Sequence, residues 1–160
     1  MDLSRPPIPD PPYEGGCLCG QARYRLNARP QTMGACHCDA CKKMSGGTNL
    51  LVITAPREAL EHLSGEVQRY RRTAESGRQS DVVRCANCGT RLWHEPQAFP
   101  IVTIAAGTLD DPSWVIPAAH IWVEKSMRAA IMQQDAIKFD GQPPRELQIA
   151  AFDKLYGDGK

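Results

Sequence analysis

Long hydrophobic runs are missing from this sequence of 160 residues. The longest ones cover residues 50–53 and 101–106, whereas a membrane-spanning helix needs about 20 consecutive apolar residues. The N-terminal residues 1–7 contain no apolar segment, so we expect no secretory signal. These absences predict a cytoplasmic protein that does not enter a membrane.

A strong excess of one sign of charge is also missing. The chain has 19 Lys and Arg against 18 Asp and Glu, a formal net charge of +1. Such a balance creates no global field that would attract nucleic acid or an anionic membrane, although it leaves a local basic patch open. We therefore expect neither nucleic acid nor a membrane as partner.

A complete disulfide framework is excluded by the odd number of cysteines. The seven cysteines fall into the groups Cys17-x-Cys19, Cys36-x-Cys38-x-x-Cys41 and Cys85-x-x-Cys88. In a cytoplasmic protein, clusters of this kind indicate metal or redox chemistry. The outer two groups supply four thiols and the central group supplies three, which predicts two metal sites.

The four outer cysteines predict a structural metal site, because zinc with four protein thiolates is tetrahedral and closed. These residues are Cys17, Cys19, Cys85 and Cys88. A disulfide within Cys17-x-Cys19 is disfavoured, because so short a ring strains the bond geometry. Zinc is the metal we expect, and iron in a four-thiolate site stays open as an alternative.

The three central cysteines, Cys36, Cys38 and Cys41, predict a site with an open position, because three protein ligands leave room for water or substrate. The alternative is a closed structural site whose fourth ligand is His37, Asp39 or a more distant residue. His37 lies between two ligands, and in an extended backbone its side chain would point away from them. A further alternative is redox chemistry of the three thiols without metal.

An open zinc site with three thiolates suits an incoming thiol better than a hydrolytic water. Three thiolates give the complex a formal charge of −1, which makes a bound water a weak acid. A thiol would bind this soft site as thiolate, and beside an aldehyde carbonyl it could form or break a hemithioacetal. Lys42 and Lys43 adjoin the site and either offset its negative charge or are solvated surface residues.

Many short strand-like segments and few helical ones predict a mainly β domain. We expect strands over residues 21–26, 32–35, 48–54, 65–72, 79–84, 90–95, 99–106 and 120–123. A short helical turn is expected over 56–60, a hairpin loop over 73–77, and a C-terminal helix over 143–156 followed by Gly157. Residues 1–12 form a proline-rich arm, which either lies on the domain or hangs free, and residues 13–160 form a single domain.

The three cysteine motifs together resemble a known family. Gly-x-Cys-x-Cys-Gly at 15–20, Ala-Cys-His-Cys-x-x-Cys-Lys-Lys-x-Ser-Gly at 35–46 and Cys-x-x-Cys-Gly at 85–89 resemble the glutathione-dependent formaldehyde-activating enzyme (Gfa) family, also called centromere-protein-V-like. Ala-Gly-Thr-Leu-Asp-Asp-Pro at 106–112 and His-Ile-Trp at 120–122 extend the resemblance, which covers about residues 13–127. Two positions depart from the family pattern. Arg84 stands where many members have an aromatic residue, and residues 126–128 contain no tryptophan.

The resemblance implies a fold, two cofactors and an activity. The fold would be Mss4-like, with several coiled antiparallel β-sheets stapled by zinc. One zinc would be structural at the four outer cysteines and one catalytic at Cys36, Cys38 and Cys41. The implied activity is that of a carbon–sulfur lyase that makes or breaks S-(hydroxymethyl)glutathione, with glutathione as the small thiol and formaldehyde as the aldehyde. The competing hypothesis is a non-catalytic zinc module for protein interaction.

Four arginines are candidate contacts for the carboxylates of such a thiol, because guanidinium pairs well with carboxylate. They are Arg69, Arg71, Arg72 and Arg78. The alternative is that they are alternating polar residues of an exposed hairpin.

Histidines and tryptophans complete the candidate residues. His94 and His120 are possible proton carriers near neutral pH, although no spacing places them beside the second site. Trp93, Trp114 and Trp122 are expected in the core or in a pocket wall.

Overall fold

Eleven short strands form two sheets in residues 5–157, the part of the chain that the structure, a computed structural model, describes. The strands are β1 (Tyr13–Gly16), β2 (Arg23–Leu26), β3 (Thr32–Cys36), β4 (Leu50–Pro56), β5 (Leu60–Ser64), β6 (Val67–Thr73), β7 (Gln79–Cys85), β8 (Arg91–Pro96), β9 (Ile101–Ala105), β10 (Ala119–Ile121) and β11 (Ile137–Lys138). The small sheet has the order β1-β2-β5, and the large sheet has the order β11-β10-β3-β4-β9-β8-β7-β6.

Two α-helices accompany the sheets, α1 (Asp39–Ser45) and α2 (Arg145–Tyr156). Single turns of 3-10 helix lie at Arg57–Ala59, Ala106–Thr108 and Val123–Lys125. The mainly β fold class with a short C-terminal helix is thus confirmed. Neither helix of the described residues has the length and apolar character that a membrane span requires.

One face of the large sheet packs on the small sheet and forms the main core. Trp93 is 2% exposed, and its ring meets Tyr24 of β2 edge-on with the centroids 5.8 Å apart. Ile104 and Val83, which pair directly with Trp93 across the strands, are fully buried. A side chain as large as that of Trp93 in a close-packed interior contributes several kcal/mol to the free energy of unfolding. This core fixes the positions of β8 and β9, which the candidate site uses.

The opposite face of the large sheet carries the candidate site. Directly paired residues of neighbouring strands share a face. Cys36 pairs with Leu50, Thr54 with Thr103, and Thr103 with His94. Strand alternation puts Leu50 and Thr54 on the same side of β4. A row of side chains therefore leads across four strands from the cysteine at the end of β3 to the histidine in β8.

The predicted strands and the C-terminal helix correspond to observed elements. Each of the eight predicted strands overlaps one of β2, β3, β4, β6, β7, β8, β9 and β10, and the turn expected over 56–60 is the 3-10 turn Arg57–Ala59. The expected hairpin loop lies between β6 and β7. Alternation of apolar and polar residues indicated β2, and short apolar runs indicated β4 and β9.

Four elements were not predicted: β1, β5, β11 and α1. The segment 120–123 was expected to be the terminal strand, but β11 follows it and pairs with it. Two strand pairs depart from the expected antiparallel arrangement, since β10 runs parallel to both β3 and β11. A parallel pair requires a long connection, and here residues 37–118 separate β3 from β10.

The described part of the N-terminal arm lies on the domain, which settles the choice between an attached and a free arm for residues 5–12. Ile8 is buried. Arg5 donates hydrogen bonds to the carboxylate of Asp135 at 2.7 Å, to the carbonyl of Ile116 at 3.0 Å and to the hydroxyl of Tyr156 at 2.7 Å. The arm thereby joins α2 to the loop before β10. The single domain expected over 13–160 stays a prediction.

Candidate metal centres and active-site cavity

The four outer cysteines converge on one point. The sulfurs of Cys17, Cys19, Cys85 and Cys88 all lie within 4.8 Å of one another. The Cys17 and Cys19 sulfurs are 3.4 Å apart, and those of Cys19 and Cys85 are 3.8 Å apart. Both distances exceed a disulfide bond of about 2.05 Å. They approach the sulfur–sulfur edge of about 3.8 Å that follows from zinc–sulfur bonds of about 2.3 Å in a tetrahedron.

Two tight turns bring these sulfurs together. Cys17 and Cys19 precede β2 in a turn that Gly20 closes with φ of 78°, and Cys85 ends β7 before a turn that Gly89 closes with φ of 75°. Glycine adopts this left-handed conformation without steric cost. The Thr90 hydroxyl donates to the Cys88 sulfur at 3.1 Å, and together with the Thr90 backbone it lowers the pKa of Cys88 to about 5. A thiolate at neutral pH is the form that binds metal.

The three central cysteines form the second cluster, again with all sulfurs within 4.8 Å of one another. Cys36 ends β3, Cys38 is the N-cap of α1, and Cys41 lies in the first turn of that helix. The Cys38 sulfur accepts a hydrogen bond from the Cys41 backbone N–H at 3.4 Å. Gly46 ends the helix with φ of 68°. A capped helix of about two turns therefore fixes two of the three sulfurs.

The electrostatics of this cluster suit a cation. Hydrogen bonds from Cys36 and Cys41 lower the pKa of Cys38 to about 2, whereas the pKa of Cys36 is raised because it donates to its neighbours and is buried. Three sulfurs this close therefore oppose the ionisation of one another when only protons are present. A divalent metal ion would let all three ionise, so the donor set fits the soft metal site that the family resemblance implies.

The two candidates for a fourth ligand point elsewhere. His37 is fully buried, and its Nε2 lies 2.9 Å from Nδ1 of His120. His120 in turn bonds Gln133 at 2.8 Å. Asp39 is exposed and pairs with Lys42 at 3.0 Å. Within residues 5–157, no fourth histidine, cysteine or carboxylate joins the three sulfurs, so this part of the chain leaves one side of the cluster without a protein ligand.

A cavity of about 170 Å³ adjoins the cluster, and all three cysteines line it. Its floor is the site face of the large sheet, with Leu50, Val52 and Thr103. Its walls come from the β6–β7 hairpin loop, from Trp122 and from the start of α2. Trp122 has φ of 58°, an unusual conformation for a bulky residue, and lines the cavity beside the cysteines.

The four candidate arginines separate into two pairs. Arg72 and Arg78 line the cavity, and Arg78 lies over the ring of Phe99 at 5.0 Å. Arg69 and Arg71 lie on the other face of the hairpin, where they pair with Glu95 at 3.4 Å and Asp81 at 2.7 Å. The hypothesis of carboxylate contacts thus keeps Arg72 and Arg78, and the alternative of an exposed polar face describes the other two.

Arg145, at the start of α2, is a cavity residue that sequence reasoning missed. Its guanidinium donates to the Gln31 side chain, and no described carboxylate pairs with it. Only the fold brings position 145 to this cavity, so no local pattern could have identified it. Arg72, Arg78 and Arg145 give the cavity three positive side chains against the single acidic residue Glu75, which Lys125 already pairs at 2.9 Å.

His94 lines the same cavity as the three cysteines. Its Nδ1 accepts a hydrogen bond from Nη2 of Arg91. Burial, and then the positive charge of Arg91, hold the pKa of His94 well below its ordinary value. Burial also lowers the pKa of Arg91 to about 10, and the thiols of the second cluster oppose that change. Of the two candidate histidines, the structure therefore brings His94 to the cavity and leaves His120 with His37.

Of the candidate tryptophans and lysines, only Trp122 lines the cavity in the described part of the chain. Trp93 is in the core, Trp114 packs against Tyr13 with the centroids 5.1 Å apart, and Trp122 is a cavity wall. The Lys42 ammonium donates to the carbonyl of Lys125 at 2.6 Å. Lys43 lines a neighbouring groove instead. The tryptophan expectation is thus confirmed, and Lys42 is held away from the cavity.

Comparison with known proteins gives the family. The model of the glutathione-dependent formaldehyde-activating enzyme family matches residues 12–125. The chain belongs to this family. A crystal structure of a Rhodobacter sphaeroides protein is similar at 17% identity and a TM-score of 0.49, covering 61% of this chain and 87% of that one. A comparison with the curated proteins finds no match. All seven cysteines fall within the part of the chain that the family model matches.

Proposed function

We propose that this protein is a zinc-dependent carbon–sulfur lyase that interconverts glutathione and formaldehyde with S-(hydroxymethyl)glutathione. The observation that carries the proposal is the three-sulfur cluster of Cys36, Cys38 and Cys41, which has no fourth protein ligand among the described residues and opens on a cavity. Membership of the Gfa family supports the choice of thiol and aldehyde. The cavity favours an enzyme over a purely structural zinc module, because a closed four-ligand site would need no such space.

The two clusters would have different roles. Cys17, Cys19, Cys85 and Cys88 would hold a structural zinc that joins the turn before β2 to the turn after β7, across a sequence separation of 66 residues between Cys19 and Cys85. Cys36, Cys38 and Cys41 would hold the catalytic zinc. Zinc there would supply a position at which a thiol is ionised near neutral pH.

The cavity side chains would bind and orient the substrate. Arg72, Arg78 and Arg145 would pair with the two carboxylates of glutathione, since guanidinium binds carboxylate through directed hydrogen bonds. A groove lined by Lys43, Arg84 and Tyr70 adjoins the cavity at residues 72–75. It gives a tripeptide room to extend away from its sulfur.

The reaction itself needs little more than position and exclusion of water. The substrate sulfur, as thiolate, attacks the carbonyl carbon, and the apolar floor of Leu50 and Val52 keeps water from competing. Holding both reactants in attack geometry replaces a bimolecular encounter by a unimolecular step. The reverse reaction breaks the same carbon–sulfur bond and returns the electron pair to sulfur.

Two-dimensional exchange NMR of glutathione and formaldehyde tests this function. We expect the protein with two zinc ions to accelerate exchange between the methylene signal of hydrated formaldehyde and that of S-(hydroxymethyl)glutathione beyond the spontaneous rate. The Cys38→Ser variant should lose this acceleration while keeping its circular dichroism spectrum. A wild-type protein that carries both metals and leaves the exchange rate at the spontaneous value would contradict the proposal.

A further inference from the structure

The hydrogen bond between Arg91 and His94 fixes the tautomer of the imidazole. Arginine carries only donors, so Nδ1 of His94 must accept the hydrogen from Nη2 of Arg91. A neutral imidazole has one N–H and one bare nitrogen. His94 therefore carries its hydrogen on Nε2.

The surroundings keep this imidazole neutral. Arg91 is packed so closely that its Nε and Nη1 are buried without a hydrogen-bond partner in the described part of the chain. A second positive charge on His94 would lie directly beside this guanidinium, in a poorly solvated place. Burial and the Arg91 charge accordingly depress the pKa of His94. The ring thus stays a neutral hydrogen-bond donor.

The donor nitrogen is directed to the cavity. Nδ1 is occupied by Arg91, and the hydrogen bonds of residues 5–157 include none to Nε2. Nε2 is also absent from the buried atoms that lack a partner in this range, so it is accessible, and the space that His94 borders is the cavity of the three cysteines. Its neighbour across the strands on this face, Thr103, also lines the cavity.

We propose that His94, held by Arg91 as the Nε2–H tautomer, donates a hydrogen bond to the aldehyde-derived oxygen of the substrate in this cavity. The proposal rests on the proposed function. His94 would be a catalytic residue because it touches the reacting oxygen, and Arg91 would be a positioning residue that acts through it.

The step balances without an oxidant or reductant. The thiol first gives its proton to water. The sulfur then attacks the carbonyl carbon, a carbon–sulfur bond forms, and the π electron pair of the carbonyl moves to oxygen. Nε2–H of His94 stabilises the oxygen by a hydrogen bond while this charge develops, and the oxygen finally takes a proton from water. His94 ends the cycle in the tautomer in which it began.

The expected effect follows from other enzymes with a fixed donor of this kind. A neutral imidazole can polarise a carbonyl when its surroundings keep it unprotonated. Removing one preorganised donor to a developing oxyanion lowers kcat by about 100- to 1000-fold. We expect His94→Phe to lower kcat within this range, with a change in KM for glutathione of less than about threefold, because the hydrogen bond forms chiefly in the transition state.

A matched pair of variants separates hydrogen bonding from packing. In His94→Gln the side-chain amide reaches the place of Nε2, whereas in His94→Asn it reaches only the place of Nδ1. The kcat of His94→Gln should therefore be at least tenfold higher than that of His94→Phe, and the kcat of His94→Asn should not. Metal content and circular dichroism identify any variant that does not fold, and the Gln and Asn pair carries the test if the Phe variant fails.

Imidazole 15N NMR of the wild-type protein gives a readout that does not depend on turnover. We expect His94 to show a protonated Nε2 and a bare Nδ1, and the Nε2–H signal to move downfield when glutathione and formaldehyde are added together but not with glutathione alone. In Arg91→Leu the two tautomers should both be populated. A protonated Nδ1 in the wild type, an unmoved Nε2–H signal with the adduct, or full kcat in His94→Phe would overturn the proposal. A wild type without exchange activity would instead overturn the proposed function.

Discussion

Arg72 gives a direct test of how the cavity recognises its thiol. It lines the cavity beside the cysteines and has no ion-pair partner among residues 5–157, so its guanidinium is available to a carboxylate. Replacing Arg72 by Gln keeps much of the side-chain volume and removes the charge. A hydrogen bond to a charged group contributes about 1.5–3 kcal/mol. We therefore expect KM for glutathione to rise about 10- to 150-fold, with a smaller change in kcat.

The chain offers a matched control on the same hairpin strand. Arg69 lies on the opposite face and pairs with Glu95 at 3.4 Å, so Arg69→Gln should leave KM unchanged. 2-Mercaptoethanol, which has no carboxylate, should show the same KM with the wild type and with Arg72→Gln. The assay is initial-rate exchange with each thiol in excess formaldehyde. An unchanged KM for glutathione in Arg72→Gln, or an equal rise with the uncharged thiol, would refute carboxylate recognition by Arg72.

Three further predictions concern stability and metal retention. Trp93→Ala removes a side chain that is 2% exposed and should lower the free energy of unfolding in urea by about 3–5 kcal/mol; a loss below 1 kcal/mol would contradict the assigned core. Gly46→Ala places a side chain at φ of 68° with no other atom within 4 Å, so its cost comes from the backbone conformation and should be about 1 kcal/mol of the free energy of unfolding. The variant should also lose zinc to a chelator more readily than the wild type, whereas Gly47→Ala should not. Thr90→Val removes the hydroxyl that lowers the pKa of Cys88. Because the lowered pKa keeps Cys88 a thiolate until the pH falls to about 5, the variant should release metal at a higher pH than the wild type in a pH titration with a zinc indicator. An identical release curve would contradict this role of Thr90.

The two cysteine clusters were predictable from sequence because their members are close together in the chain. Cys85 and Cys88 lie within one turn, as do Cys38 and Cys41, so spacing alone indicates that each pair can reach one ion. Joining the pair at 17 and 19 to the pair at 85 and 88 needed only the count of seven thiols. The observed convergence of four sulfurs and of three sulfurs has the grouping expected.

The elements that sequence reasoning missed carry little periodic signal. Helix α1 has seven residues and only Cys41 buried, so it has no apolar stripe to recognise. Its capping by the Cys38 sulfur replaces the usual Ser, Thr, Asp or Asn. The strand β11 has two residues, which is too short for an alternation pattern.

The contents of the cavity depended on long-range pairing. His94 was a candidate by residue type alone, and it reaches the cavity because β8 pairs with β9, which in turn pairs with β4. Arg145 reaches the cavity from α2, although it lies 104 residues after Cys41 in the sequence (145 minus 41). Neither placement follows from local composition, because His94 is placed by the strand order of the sheet and Arg145 by the packing of α2 against β3 and β10.

A glutathione titration of the cobalt-substituted protein shows whether Cys36, Cys38 and Cys41 hold a metal with an open position for a thiol. Cobalt replaces zinc, and its visible bands report its ligands. We expect a saturable change in the bands of one of the two metals, and loss of that change in Cys38→Ser with the bands of the other metal retained. Bands that stay the same at saturating glutathione, in a protein that carries two cobalt ions, would contradict it.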